Sequence, residues 1–187
     1  MKRCEVDRSK LSPMMQQYMD IKDEYEDCII FFRLGDFYEM FFDDAILTSR
    51  ILELTLTGKQ AGLEERVPMC GIPHHAYASY VDQLVDKGYK VAIVEQLEDP
   101  KETKGMVKRD VIQVVTKGTR IDSNMDSKSN NYIANVYAFP YCYGISYADV
   151  STGEVYASLI EGENDKVIHE ITKMGFREVI VNDAINR

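Results

Sequence analysis

Apolar positions along the chain recur with two different periods. Met14, Met15, Tyr18 and Ile21 fall three and four apart, one apolar stripe of a helix running through about Tyr25. Ser12-Pro13 just ahead of it is a helix start, with a hydroxyl to cap free amides and a proline at the first helical position. Cys28–Phe32 is then a continuous apolar run, short enough to be a buried strand. Gly35-Asp36 interrupts it as a turn or bulge would. Beyond Phe41, Asp43-Asp44 opens a second helix, where acidic residues favour the positive end of the dipole, and Ala45, Ile46, Leu47, Ile51 and Leu52 form its buried side. Leu54–Thr57 reads as a strand, 58–66 as a polar loop, and Val67–Pro73, with two prolines and a glycine, as an edge or irregular strand. Tyr77, Tyr80, Val81, Leu84 and Val85 give a helix over 76–87 its apolar face, and Gly88 ends it. Lys90–Gln96 and Asp110–Thr116 are further strands. The order helix, strand, helix, strand, helix, strand, strand predicts an α/β domain with a mixed sheet over 11–116.

The pattern changes on either side of that domain. Residues 1–10 are polar and are expected to be disordered. From 117 to 131 Gly, Asp, Ser and Asn dominate with few apolar residues, which reads as a linker. Beyond it, 132–138, 141–150 and 154–160 form three strand-like runs, with Ser151-Thr152-Gly153 as a hairpin turn between the last two. A helix over 166–174 and a strand over 178–181 follow. The second region, 132–187, ends before a domain of this kind would close, so the chain is expected to be a fragment of a longer protein.

Composition narrows the class. The 187 residues are 45% hydrophobic and 28% charged, ordinary for a globular protein. No apolar run approaches a membrane span, and Met1-Lys2-Arg3-Cys4 is not followed by a signal core. Cys4, Cys28, Cys70 and Cys142 lie far apart, indicating neither a disulfide framework nor a zinc site. The net charge of -9 is awkward for a nucleic-acid ligand, because phosphate neutralisation needs Lys and Arg. The balance reverses between Lys101 and Arg120, where six basic residues against Glu102 and Asp110 give +4.

Candidate chemistry centres on Phe37 and Glu39. Two apart in extended chain, they point to one face, an apolar ring beside a hydrogen-bond acceptor. Such a pair can wedge between stacked bases and bond a base edge; spacing alone favours the plainer reading, with Phe37 and Phe41 as core and Glu39 a solvated strand residue. A metal-dependent nuclease would need converging carboxylates, for which Asp36, Glu39, Asp43, Asp44, Glu95 and Asp149 are available. Asp43 and Asp44 have the simpler job at a helix start. A protein-interaction module is a third reading. His74-His75 invites a metal, but adjacent residues do not share a face and the chain has three His in all. No phosphate-binding loop of the Gly-x-x-x-x-Gly-Lys-Ser/Thr type occurs.

Five blocks in order carry a resemblance: Ser12-Pro13-Met14-Met15-Gln16-Gln17-Tyr18; Gly35-Asp36-Phe37-Tyr38-Glu39 with Phe42-Asp43-Asp44-Ala45; Val67-Pro68-Met69-Cys70-Gly71-Ile72-Pro73-His74-His75-Ala76; Val91-Ala92-Ile93-Val94-Glu95-Gln96; and Val114-Val115-Thr116-Lys117-Gly118-Thr119. Together they resemble the N-terminal part of the bacterial MutS family of DNA mismatch repair proteins. The resemblance implies that Phe37 stacks on a mispaired or unpaired base from the minor groove while Glu39 hydrogen-bonds the same base. By position in that family Lys59 is a further expected DNA contact; Leu34, Met69 and, in the basic segment, Lys108 and Arg109 are also expected to touch DNA. It makes 132–187 the start of a ribonuclease-H-like connector domain. It also implies partners: mismatched double-stranded DNA, a second MutS subunit in the complete protein, and a MutL-type repair protein reached through the connector region. No cofactor is implied for these residues, ATP and Mg²⁺ belonging to an ATPase domain further along the parent protein. The implied location is the bacterial cytoplasm, at the nucleoid.

Overall fold

The computed structural model describes residues 3–98, 105–119, 131–162 and 164–186. The chain divides into two compact units, residues 1–116 and 117–187. In the first, helix α1 (Pro13–Glu24) leads into strands β1 (Cys28–Leu34) and β2 (Phe37–Phe41). Helix α2 (Phe42–Ile51), strands β3 (Thr57–Lys59) and β4 (Val67–Pro73), helix α3 (Tyr77–Asp86) and strands β5 (Lys90–Gln96) and β6 (Arg109–Val115) follow. The six strands form one sheet in the order β3-β4-β2-β1-β5-β6, parallel between β1 and β5 and antiparallel elsewhere.

Strand alternation divides the core between two faces. Ile30 and Phe32 of β1, with Ala92 and Val94 of β5, pack under Met15, Tyr18, Met19 and Ile21 of α1. Their neighbours Ile29, Phe31, Val91 and Ile93 face the opposite way, onto Ala45 and Leu52 around α2 and Val81, Leu84 and Val85 of α3. A sheet buried on both faces explains why β1 and β5 read as continuous apolar runs.

Several expectations need correction. Ser12 makes no side-chain cap; its amide donates to the Ala61 carbonyl at 2.7 Å, and the loop after β3 is packed onto the start of α1. Gly62 adopts a φ of +96° there, and a Cβ on it would lie 2.5 Å from the Lys10 carbonyl oxygen. Residues 3–10 form two short 3-10 turns, because Arg3 and Arg8 reach the acidic side of α1: Arg3 pairs with Asp23 at 2.5 Å and Glu26 at 3.1 Å, and Arg8 pairs with Asp23. No strand spans 54–56; β3 starts at Thr57 and takes up the beginning of the expected polar loop. Strand β4 is interior rather than at the edge, and Pro68 lies beyond its ladder with β2, which runs from Met69 to Pro73.

Asp44 differs most from its sequence reading. Asp43 is exposed and accepts from the Arg3 amide at 3.1 Å, whereas Asp44 is buried between α1, β1 and α2. It accepts from the Ile30 amide at 3.0 Å and the Tyr18 hydroxyl at 3.2 Å, and pairs with Lys22 Nζ at 3.0 Å. Burial pushes the Asp44 carboxyl above the usual carboxylate range against the opposing pull of Lys22 and the Ile30 amide.

The second unit is a four-stranded sheet in the order β10-β7-β8-β9: β7 (Tyr132–Ala138), β8 (Tyr143–Asp149), β9 (Val155–Ile160) and β10 (Glu178–Val181), with helix α4 (Asn164–Met174) between the last two. Both units are mixed α/β, as the element order predicts. Val136, Ile145 and Val167 are buried in its core, with Tyr143, Tyr147, Ile171 and Val179 packed against them. Asp149 closes the β8–β9 turn by accepting from the Ser151 amide at 2.8 Å and the Ser151 hydroxyl at 2.5 Å, which holds its carboxyl below the usual range. Most of the linker expected over 117–131 lies outside the described residues.

Candidate nucleic-acid interface

Strands β1 and β2 form a hairpin with a two-residue turn, Leu34 pairing with Phe37 across Gly35-Asp36. Gly35 takes a φ of +57°, the left-handed conformation that the first turn position of a tight hairpin requires. The turn is pinned from two sides. The His74 amide donates to the Asp36 carbonyl at 2.8 Å, and Arg33 Nε donates to the Gly35 carbonyl at 2.5 Å. Behind it, on the α3 side of the sheet, the Tyr38 hydroxyl donates to the Glu95 carboxylate, which also accepts from Arg33 Nη1 at 3.3 Å. Burial, then Glu95, pushes the Tyr38 phenol well above its ordinary pKa, so it remains a donor. Sequence reading did not assign Arg33, Tyr38 or Glu95 to this brace; Glu95 at the end of an apolar strand was the available signal.

The opposite, α1-side face of the hairpin is where Phe37 and Glu39 project. Helix α1 covers this face over Ile30, Phe32 and Phe41 but not at its end, where exposure rises along β2 from the buried Phe41 through the mostly buried Glu39 to Phe37, 47% exposed. Phe37 is therefore not a core residue. Gly71 pairs with Glu39 on β4, and a Cβ there would come within 3.5 Å of Glu39 Cγ and 4.0 Å of Phe37 Cδ1. Having no side chain at that position leaves the face between ring and carboxylate open.

Lys59 joins this pair. From β3 its ammonium reaches Glu39 Oε2 at 2.5 Å and sits 5.6 Å from the Phe41 ring centroid. Met69, across from Phe41, and Leu34, across from Phe37, are both partly buried against the α1-side core, Leu34 at the open end and Met69 at the covered one. Lys108 is exposed but precedes β6, the far edge of the sheet from β3. Arg109 is a correction to the expected DNA contacts. Its side chain is buried, with Nε donating to the Arg33 carbonyl at 2.8 Å, Nη1 to Gln17 Oε1 at 3.3 Å, and the guanidinium 5.2 Å from the Phe32 ring. Those bonds tie β6 to α1 and β1 and turn the guanidinium into the domain rather than toward solvent. Lys101, Lys104 and Arg120 of the basic segment lie outside the described residues.

The carboxylates weighed for a nuclease are dispersed among separate partners. Glu39 pairs with Lys59, Asp44 with Lys22, Glu95 with Arg33, and Asp149 with its own turn. Among the described residues no group of three or more His, Cys, Asp or Glu side chains is placed to hold a metal ion. His74 turns its Nδ1 to the Asp36 carbonyl at 3.2 Å. No described helix is long and apolar enough to cross a membrane.

Comparison with known proteins decides what this hairpin belongs to. A family model described as MutS domain I matches residues 12–124, and one described as MutS domain II matches 131–187. The chain belongs to the MutS family. It is similar to proteins named DNA mismatch repair protein MutS from Listeria welshimeri (52% identical over 94% of this chain), Clostridioides difficile (53% over 96%) and Acetivibrio thermocellus (56% over 93%). The chain spans about a fifth of the length of these relatives, 21%, 19% and 20% respectively. The Phe37–Glu39 hairpin and its Gly71 and Lys59 neighbours all fall within the match to MutS domain I, and the β7–β10 sheet falls within the match to domain II.

Proposed function

We propose that this chain carries the mismatch-probing domain of a DNA mismatch repair protein and the start of its connector. The observation that carries the reading is the exposed Phe37 ring beside Glu39 at an end of the sheet that helix α1 leaves uncovered. A mismatch weakens stacking and pairing, so kinking the duplex there costs less than at a matched step. Phe37 fills the opened step from the minor groove and stacks on the displaced base, while Glu39 accepts a hydrogen bond from a donor on the same base. Leu34 and Met69 line the approach, Lys59 lies on the DNA side, and Lys108, ahead of the far edge strand β6, serves only as a backbone contact away from the probe. The complete protein is read as a dimer with a second MutS subunit in which ATP and Mg²⁺ occupy a domain beyond these residues. A MutL-type repair protein docks through the connector, and the assembly works in the bacterial cytoplasm at the nucleoid.

The test is binding of mismatched against matched duplex by the full-length protein with and without residues 1–116. Loss of the preference on deletion supports the reading; a preference that survives deletion refutes it. A sharper expectation concerns Glu39. Its negative charge opposes phosphate, so Glu39→Ala tightens binding to matched duplex and thereby weakens discrimination. Titration with matched duplex checks this, and unchanged or weaker binding argues against the role.

A further inference from the structure

We infer that Lys59 is a positioning residue for Glu39, holding its carboxylate at the probe face and thereby setting the ratio of mismatched to matched binding. The inference rests on the mismatch-probing reading above and goes beyond it, since that reading places Lys59 only on the DNA side.

The geometry is specific. Phe37, Glu39 and Phe41 alternate along one face of β2, and Lys59 reaches that face from β3. Its ammonium is fixed at two points, Glu39 Oε2 at 2.5 Å and the Phe41 ring at 5.6 Å. Phe41 is fully buried, so the ring is an immobile platform. The backbone of Lys59 is itself held in register opposite Val67. Glu39 has only 17% of its side chain exposed. A carboxylate so placed, with the glycine of Gly71 across from it and no side chain there to bond it, needs a charged donor to define its rotamer and offset its desolvation. Lys59 is that donor. A lysine whose ammonium is held in this way is poorly disposed to serve first as a phosphate contact.

The two roles predict different results. A phosphate contact strengthens mismatched and matched duplex alike and cancels in their ratio. A positioning residue changes the ratio, and only while the Glu39 carboxylate is present. In the full-length protein, Lys59→Met is therefore expected to lower the mismatched-to-matched ratio by about fivefold, and Lys59→Arg to keep it. In a Glu39→Ala background, Lys59→Met should leave the ratio where Glu39→Ala alone has put it. Equal weakening of both duplexes by Lys59→Met, with a salt dependence shallower by about one phosphate, overturns the inference. So does a fall in the ratio that persists without the carboxylate. Failure of the underlying reading gives a separate signature, in which Glu39→Ala and Phe37→Ala themselves leave the ratio unchanged. Melting curves for each variant separate loss of fold from loss of positioning.

Discussion

Replacing Phe37 by alanine is expected to abolish the preference for mismatched over matched duplex in the full-length protein while leaving the melting temperature nearly unchanged. Stacking of an aromatic side chain on a base is worth ~1–3 kcal/mol, which converts to a loss of about 5- to 150-fold in affinity for the mismatched site. Matched duplex offers no opened step for the ring and should bind as before. The stability side of the prediction rests on exposure. A buried Phe→Ala change costs ~3–5 kcal/mol, but Phe37 is 47% exposed and the turn beside it is pinned by His74 and Arg33 rather than by its ring. Parallel binding titrations and thermal melts check both parts. Retained discrimination with a normal melt sinks the assignment, and a large drop in stability would return Phe37 to the core.

The largest effect on stability is expected at Asp44. Asp44→Ala leaves the Ile30 amide, the Tyr18 hydroxyl and the Lys22 ammonium without their shared acceptor in a buried site. Breaking a buried pair by removing one partner costs ~3–5 kcal/mol, a large share of the ~5–15 kcal/mol that holds a domain together. Asp44→Asn keeps an oxygen for the Ile30 amide but strands the Lys22 charge, so it should also destabilise strongly. Adding Lys22→Met to Asp44→Asn removes the stranded charge and should recover part of the loss. Chemical denaturation of the four proteins measures this; a double variant no more stable than Asp44→Asn alone would show that the ion pair is not what the site depends on.

Much of this fold was legible in the sequence because its strongest signals are local. The apolar stripe of α1, the continuous runs of β1 and β5 and the positive-φ glycine after α3 each depend on neighbours a few residues away. What was not legible depends on pairing across the chain. The strand is read at 54–57 and the loop from Gly58, whereas β3 spans Thr57–Lys59, because so short a strand exists by virtue of its ladder with β4. Residues 3–10 look structureless until Arg3 and Arg8 are seen to reach Asp23 of α1. Asp43 and Asp44 are identical in type and adjacent, yet one is exposed and the other buried, a difference set by the phase of α2 against β1.

At the candidate site, the i, i+2 spacing of Phe37 and Glu39 gave their common face. It did not reveal that α1 stops short of them, that Gly71 keeps the face open, or that Lys59 pairs with Glu39. Arg109 shows the reverse error. A basic residue in a basic segment suggests phosphate, but its guanidinium lies over Phe32 and bonds Arg33 and Gln17. Charge counting along a chain says nothing about which side of a strand a cation occupies.

The central claim is that the Phe37 ring enters the duplex at the mispaired step. A photoreactive phenylalanine, p-benzoylphenylalanine, installed at position 37 of the full-length protein tests it most directly. The protein is illuminated with a duplex carrying one mispair, and the cross-linked nucleotide is mapped. The account predicts cross-links concentrated at the mispaired base, absent from a matched duplex bound at the same occupancy. Cross-links spread evenly along both duplexes, or none at the mispair while binding there persists, would contradict it.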